Sequence, residues 1–215
     1  RTTIGVAQLY RDWFSGLKDA RASGSLWLFL IAYFLFSDAI LTIQNNSTLY
    51  MEAVYQFADD IKAYQFLSVL FFGAIGGFVS GYIADRFGLV RLLRAALAGW
   101  VVAVLSAAFV LNAAVFTVLF AFMGFLNGVV WSISRVLFLK LIPTSRRGEY
   151  FGLYSVFERF ASVLGPLIWS APVALLSSPG VVRYQLAMLA MGLLLTASVF
   201  FLARMRSESL ASDPL

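Results

Sequence analysis

No cysteine and no histidine occur among the 215 residues. Their absence removes disulfides, thiolate nucleophiles, imidazole bases and the commonest zinc ligands. Charge is nearly as scarce, since Asp, Glu, Lys and Arg make up 13% of the chain, about half the share of a soluble globular domain. Five prolines leave few places where a helix must break from within. What fills the chain is apolar: 61% hydrophobic residues and a mean hydropathy of +0.85. So much apolar surface cannot be hidden from water in a chain of this length, and the solvent is therefore lipid. No short basic-then-apolar leader precedes the first span, so a cleaved signal peptide is not expected, and a start at Arg1 suits a piece of something longer.

Crossing roughly 30 Å of hydrocarbon takes about 20 helical residues. Six runs qualify: Leu26–Tyr50, Tyr64–Ala84, Leu89–Leu111, Ala113–Leu139, Tyr150–Leu176 and Val181–Ala203. Each connector carries a reason to stop: Asp59, Asp60 and Lys62; Arg86-Phe87-Gly88; Asn112 alone; Pro143 to Gly148; and Ser177-Ser178-Pro179-Gly180. The expected fold is all-α and integral to the membrane, with the bundle over 25–204, a leader over 1–24 and a tail over 205–215.

Six spans place both ends on one side. Twelve of the sixteen bases lie in the segments of that side: Arg1, Arg11, Lys18, Arg21, Arg86, Arg91, Arg94, Lys140, Arg146, Arg147, Arg204 and Arg206. Only Lys62 and Arg183 lie opposite. The excess marks the first side as cytoplasmic, so the pI near 9.7 is a topology signal and no nucleic-acid partner is expected. In the leader, Val6, Leu9, Tyr10, Trp13, Phe14 and Leu17 recur at helical spacing opposite polar residues. This pattern suits an amphipathic helix lying on the membrane surface or against the cytoplasmic ends of the spans.

Small residues mark packing faces: Gly73, Gly77 and Gly81; Ala95, Gly99, Ala103 and Ala107; Gly124 and Gly128. Lipid supplies no hydrophobic force between helices, so close backbone contact must hold them together. In the fifth span Gly165-Pro166 and Pro172 are expected to kink the helix, either for a moving gate or for simple curvature.

The octapeptide Gly81-Tyr82-Ile83-Ala84-Asp85-Arg86-Phe87-Gly88 resembles the G-x-L-A-D-R-x-G loop motif of the Major Facilitator Superfamily, in the matching place between the second and third spans. The family's basic pair after the last glycine is replaced by Leu89-Val90, with Arg91 the first base to follow. Ser134 to Phe138, Leu141-Ile142-Pro143, Glu149 to Tyr154 and Leu164 to Leu167 are similar to the branch of vacuole amino-acid effluxers and their bacterial relatives, as is Tyr33 to Ala39 in the first span. The likeness is to the second, C-terminal half of such carriers. It implies a missing first bundle of six spans, a leader that links the halves, and a loop aspartate, Asp85, that latches the opposite half. Read from the residues alone, Asp85 and Arg86 are ordinary interfacial charges.

Ionisable residues inside spans cost about 3 kcal/mol each and need a partner or a task. Asp38 falls near the bilayer midplane, and Asp38, Thr42, Asn45 and Glu52 share a face flanked by Gln44 and Asn46. That face is expected to line an aqueous cavity or meet another bundle, with Glu52 at the outer mouth. On the fourth span Asn127, Trp131 and Arg135 are four apart, able to bond a solute, stack on it and neutralise its carboxylate. Arg135 and Glu158 are expected to pair across adjacent antiparallel spans; in the alternative, Glu158 or Asp38 binds a transported proton. A base is also expected at Arg159 from the branch pattern.

Three readings follow. The first is half of a secondary transporter that moves a small organic solute, with amino acids suggested by the resemblance. The second is a non-transporting sensor or scaffold. The third, an intramembrane enzyme, lacks the residues for hydrolytic or metal chemistry. No cofactor or metal is expected. The expected partners are the bilayer, a solute, and either the missing first half or a second copy. The expected location is a bacterial inner membrane, with both termini cytoplasmic.

Overall fold

The computed structural model describes residues 21, 23–160, 162–175 and 180–205, so the leader, the distal tail and most of the Ser177–Gly180 connector lie outside the described residues. The described elements are helical: α1 (Gly24–Tyr55), α2 (Asp59–Phe87), α3 (Leu89–Phe109), α4 (Ala113–Leu141), a 3₁₀ turn (Thr144–Arg146), α5 (Arg147–Phe160), α6 (Leu164–Leu175) and α7 (Val182–Ala203). Among them, α1, α2, α3, α4 and α7 are long and apolar enough to cross a membrane unaided.

Local chemistry accounts for the boundaries. Gly88 sits at φ 86°, a left-handed value open to glycine, and its N–H closes α2 on Ala84 O at 2.8 Å. Three residues, Val110 to Asn112, join α3 to α4, and the Asn112 side chain caps α4, accepting from the N–H groups of Ala114 (2.9 Å) and Val115 (3.2 Å).

The fifth span corrects the expectation of one kinked helix. It is two short helices, of 14 and 12 residues, joined by a turn in which Ser162 N bonds Arg159 O and Val163 N bonds Phe160 O. At 1.5 Å per residue they measure about 21 and 18 Å, each too short to span. The break comes before Gly165-Pro166, not at it. Pro166 is the third residue of α6, where a backbone N–H would have no intrahelical acceptor, so the imino ring costs α6 nothing. Pro172 lies inside α6, which continues to Leu175.

The bundle has two parts. In one, α7 packs against α1, α3 and α6; in the other, α2 packs along α4, which also meets α3. The α2–α4 seam is glycine on glycine. A Cβ on Gly128 would strike Gly73 O and lie 2.7 Å from Gly77 N, one on Gly124 would lie 2.7 Å from Val69 Cα, and one on Gly76 would strike Phe125 O. Gly73, Gly77, Gly124 and Gly128 thus lie on the seam as expected, whereas Gly81 faces open space. The interior of α2 is inverted relative to a soluble helix: its buried residues are Lys62, Gln65, Gly76, Ser80 and Ala84, while Leu70, Phe71 and Phe78 are exposed. That inversion fits a helix facing lipid or another apolar bundle.

Cross-links by side chains complete the frame. Tyr50 and Tyr55 donate from α1 to Ala107 O (2.8 Å) and Val110 O (2.6 Å) at the end of α3. Gln65 donates to Thr117 Oγ1 at 2.6 Å. Arg94 reaches the end of α7, donating to Leu202 O (3.0 Å), Ala203 O (3.3 Å) and Met205 O (2.7 Å). A guanidinium there satisfies carbonyls that the helix leaves open and complements its negative end.

Candidate functional site

The polar residues of α1 and α4 meet at Asn127. Its amide oxygen accepts from Gln44 Nε2 at 3.0 Å and from Trp131 Nε1 at 2.8 Å. Trp131 and Asn127 are one turn apart on α4, so the indole bond is local and fixes both rotamers; Gln44 then ties α4 to α1. Arg135, a further turn toward the 3₁₀ turn, is exposed.

Beside this group is a cleft of about 330 Å³ between α1, α2 and α4, with Trp100 of α3 in its wall. Gln44, Ser47 and Asn127 give it polar points, and Phe66, Leu70 and Phe120 an apolar lining. No charged side chain lines it. Trp100 is 2% exposed and its Nε1 has no hydrogen-bond partner, so the wall holds one uncommitted donor. Below Trp131 the aromatic rings close ranks: Tyr33 lies 4.3 Å from Tyr154 and 6.3 Å from Trp131, and Tyr154 lies 4.6 Å from Phe138, centroid to centroid.

The structure divides the polar face expected on the first span. Asp38 and Thr42 are buried against the start of α6 and do not face the cleft. Asn45 is exposed, and Asn46 bonds back to Thr42 O at 2.9 Å. Glu52 is exposed and accepts from Lys62 Nζ at 3.1 Å, which also bonds Asp59 at 3.0 Å. The expected Arg135–Glu158 pair is not formed. The ion pairs among the described residues are those two of Lys62. Equal distance from a loop places two residues at one depth but does not turn them toward each other.

Of the loop motif, Gly81, Asp85, Arg86, Gly88 and Arg91 are all exposed. Asp85 has no ion-pair partner among the described residues, and Arg86 lies over the Phe87 ring at 5.6 Å. Sequence reading gave no site role to Trp100, Arg94, Gly165 or the Tyr33–Tyr154 pair. An indole amid the small residues of the third span was the one available signal.

A polar seam inside an apolar helical bundle, beside a cleft, is an arrangement that suits a membrane carrier. The family model described as "Vacuole effluxer Atg22 like" matches residues 3–209, and the chain belongs to that family, within the Major Facilitator type. It is similar to the uncharacterized MFS-type transporter YxiO of Bacillus subtilis (strain 168), 28% identical over 177 residues, covering 80% of this chain and 40% of that protein. It is also similar to autophagy-related protein 22 of Yarrowia lipolytica, 29% identical over 160 residues, covering 70% of this chain and 27% of that protein. The chain therefore spans less than half the length of these relatives.

Proposed function

We propose that this bundle is one half of a secondary transporter that moves a small organic solute by alternating access, along a route bordered by the α1–α4 seam. The observation that carries this reading is the Gln44–Asn127–Trp131 group beside the uncharged cleft. Fixed amides and an indole in an apolar bundle need a reason, because lipid cannot satisfy their remaining donors and acceptors. A solute with polar ends and an apolar body meets that need. Arg135, two turns along the same helix from Asn127 and outside the cleft lining, would take a carboxylate, and the resemblance to vacuole amino-acid effluxers points to amino acids as the class. The opposite half of the route comes from another six-span bundle, in line with the share of its relatives that the chain spans, or from a second copy. The protein sits in the plasma membrane with both ends cytoplasmic.

The test is uptake of radiolabelled amino acids by vesicles holding the full-length protein. Asn127→Leu removes the acceptor shared by Gln44 and Trp131, and Arg135→Ala the charge; each should lower uptake about tenfold or more, with protein level unchanged. A sensor or scaffold built on the same bundle would show no saturable solute binding, and binding indifferent to both substitutions would reject the assigned route.

A further inference from the structure

Among the described residues Asp38 is the one buried carboxylate, at 1% exposure. Its Oδ1 has no hydrogen-bond partner, and neither has Thr42 Oγ1, one helical turn further along α1. Both atoms converge on the first turn of α6. A Cβ on Gly165 would strike the Thr42 hydroxyl and lie 2.8 Å from Asp38 Oδ1 and 2.9 Å from Asp38 O. Glycine is thus required there to let the α6 backbone reach the carboxyl group. Among the described residues no basic side chain answers the charge. α6 carries no titratable group, and α7 carries only Arg183 and Tyr184, both in its first turn. Of the titratable groups on α1 and α5, Glu158 bears on Tyr33 and Tyr154, Arg135 of α4 bears on Tyr154, and neither bears on Asp38. The Gly165 backbone N–H reaches the carboxyl group, but a buried carboxylate in a membrane bundle with no cation beside it is strongly disfavoured unless it takes up a positive charge.

We propose that Asp38 is the site at which the carrier binds a proton, held on the carboxyl group beside the Thr42 hydroxyl. The inference rests on the transporter reading and names its coupling cation. A hydroxyl suits both states: it accepts from the protonated acid and donates to the carboxylate. When the proton leaves, the positive end of α6 stabilises the anion, so the charge on Asp38 is felt at the break in the fifth span.

The experiment treats vesicles holding the full-length protein with dicyclohexylcarbodiimide, which attacks protonated carboxyl groups in apolar surroundings, and maps the adduct by peptide mass. Asp38 should be modified while the exposed Glu52 and Asp85 are not. Labelling should fall about tenfold per pH unit once the group has lost its proton, and exchanging choline chloride for sodium chloride should leave it unchanged. Asp38→Asn should remove both the adduct and accumulation driven by a pH gradient. No adduct at Asp38, or labelling flat with pH, would overturn the proposal, and protection by sodium at fixed pH would replace the proton with a metal ion. The adduct needs no transport. Labelling without solute accumulation by the wild type keeps the proton site and rejects the transporter reading, and accumulation without labelling does the reverse.

Discussion

Gly128→Ala adds a single methyl group at the tightest point of the bundle. The new Cβ would strike Gly73 O and lie 2.7 Å from Gly77 N and 2.8 Å from Gly73 C. All three neighbours are backbone, so no side chain can swing aside. Ordinary carbon–oxygen contact is about 3.3–3.6 Å, and reaching it means parting α2 from α4 by roughly 1 Å. The parting is felt along the seam, because Gly124 lies against Val69 and Gly76 against Phe125, and a gap of that size forfeits about a quarter to a half of each van der Waals contact. Overpacking of this kind costs about 3 kcal/mol, or roughly 6–12 °C in melting temperature for a chain of this length. The control is Gly81→Ala. It keeps the same four-residue period on α2 but meets nothing within 4 Å, and it should hold or gain about 0.5 kcal/mol by removing glycine from a helix. Both are read by thermal denaturation of the detergent-solubilised chain, followed by fluorescence-detected size exclusion. Equal melting temperatures for the two variants would refute the seam.

Further tests address other elements. Arg94→Ala strips three carbonyls at the end of α7 of a charged donor and should cost about 2–3 kcal/mol in the same melting assay; Arg94→Lys should recover only part, because a point charge cannot replace the guanidinium fork. Arg135→Ala and Glu158→Ala should combine with a coupling energy below about 0.5 kcal/mol in a double-mutant cycle, and a coupling above 1 kcal/mol would restore the ion pair. Because the chain has no native cysteine, single cysteines report sidedness cleanly. Positions 60 and 180 should react with an impermeant maleimide from outside, and 88, 145 and 207 only after permeabilisation; labelling of 88 and 180 from one side would reject the six-span topology.

Where a boundary depended on one residue's chemistry, it could be read directly. Asn112 caps α4 and Gly88 turns α2 into α3, and both positions were plain in the chain. The fifth span was not, because apolar length is blind to a turn: Pro166 signals only an unused N–H, and a helix that starts at Leu164 meets that condition as well as one that kinks. Small-residue stripes showed that α2 and α4 could approach closely. They could not show which side of each glycine faces the seam, so Gly76 was overlooked and Gly81 was placed on a seam it does not touch. Side-chain pairing across helices depends on the rotation of each helix about its axis. For that reason Asp38 was placed at its depth but not under α6, and Arg135 and Glu158 were matched in depth but not in direction.

The packing order has a consequence for biosynthesis. The helices that hold one another are far apart in sequence: α2 waits for α4, and the faces of α1 and α3 that close on α7 wait for the last span. Translation runs at about 5–20 residues per second, so α3 stays bare on that face for roughly 5–20 s while Phe109 through Ala203 is made. During that interval the nascent chain presents Val104 and Leu105 of α3, which later meet Gly192 of α7, to whatever occupies the insertion machinery. A ribosome stalled short of Val182 would leave those faces permanently open, a state that membrane quality-control proteases are equipped to find.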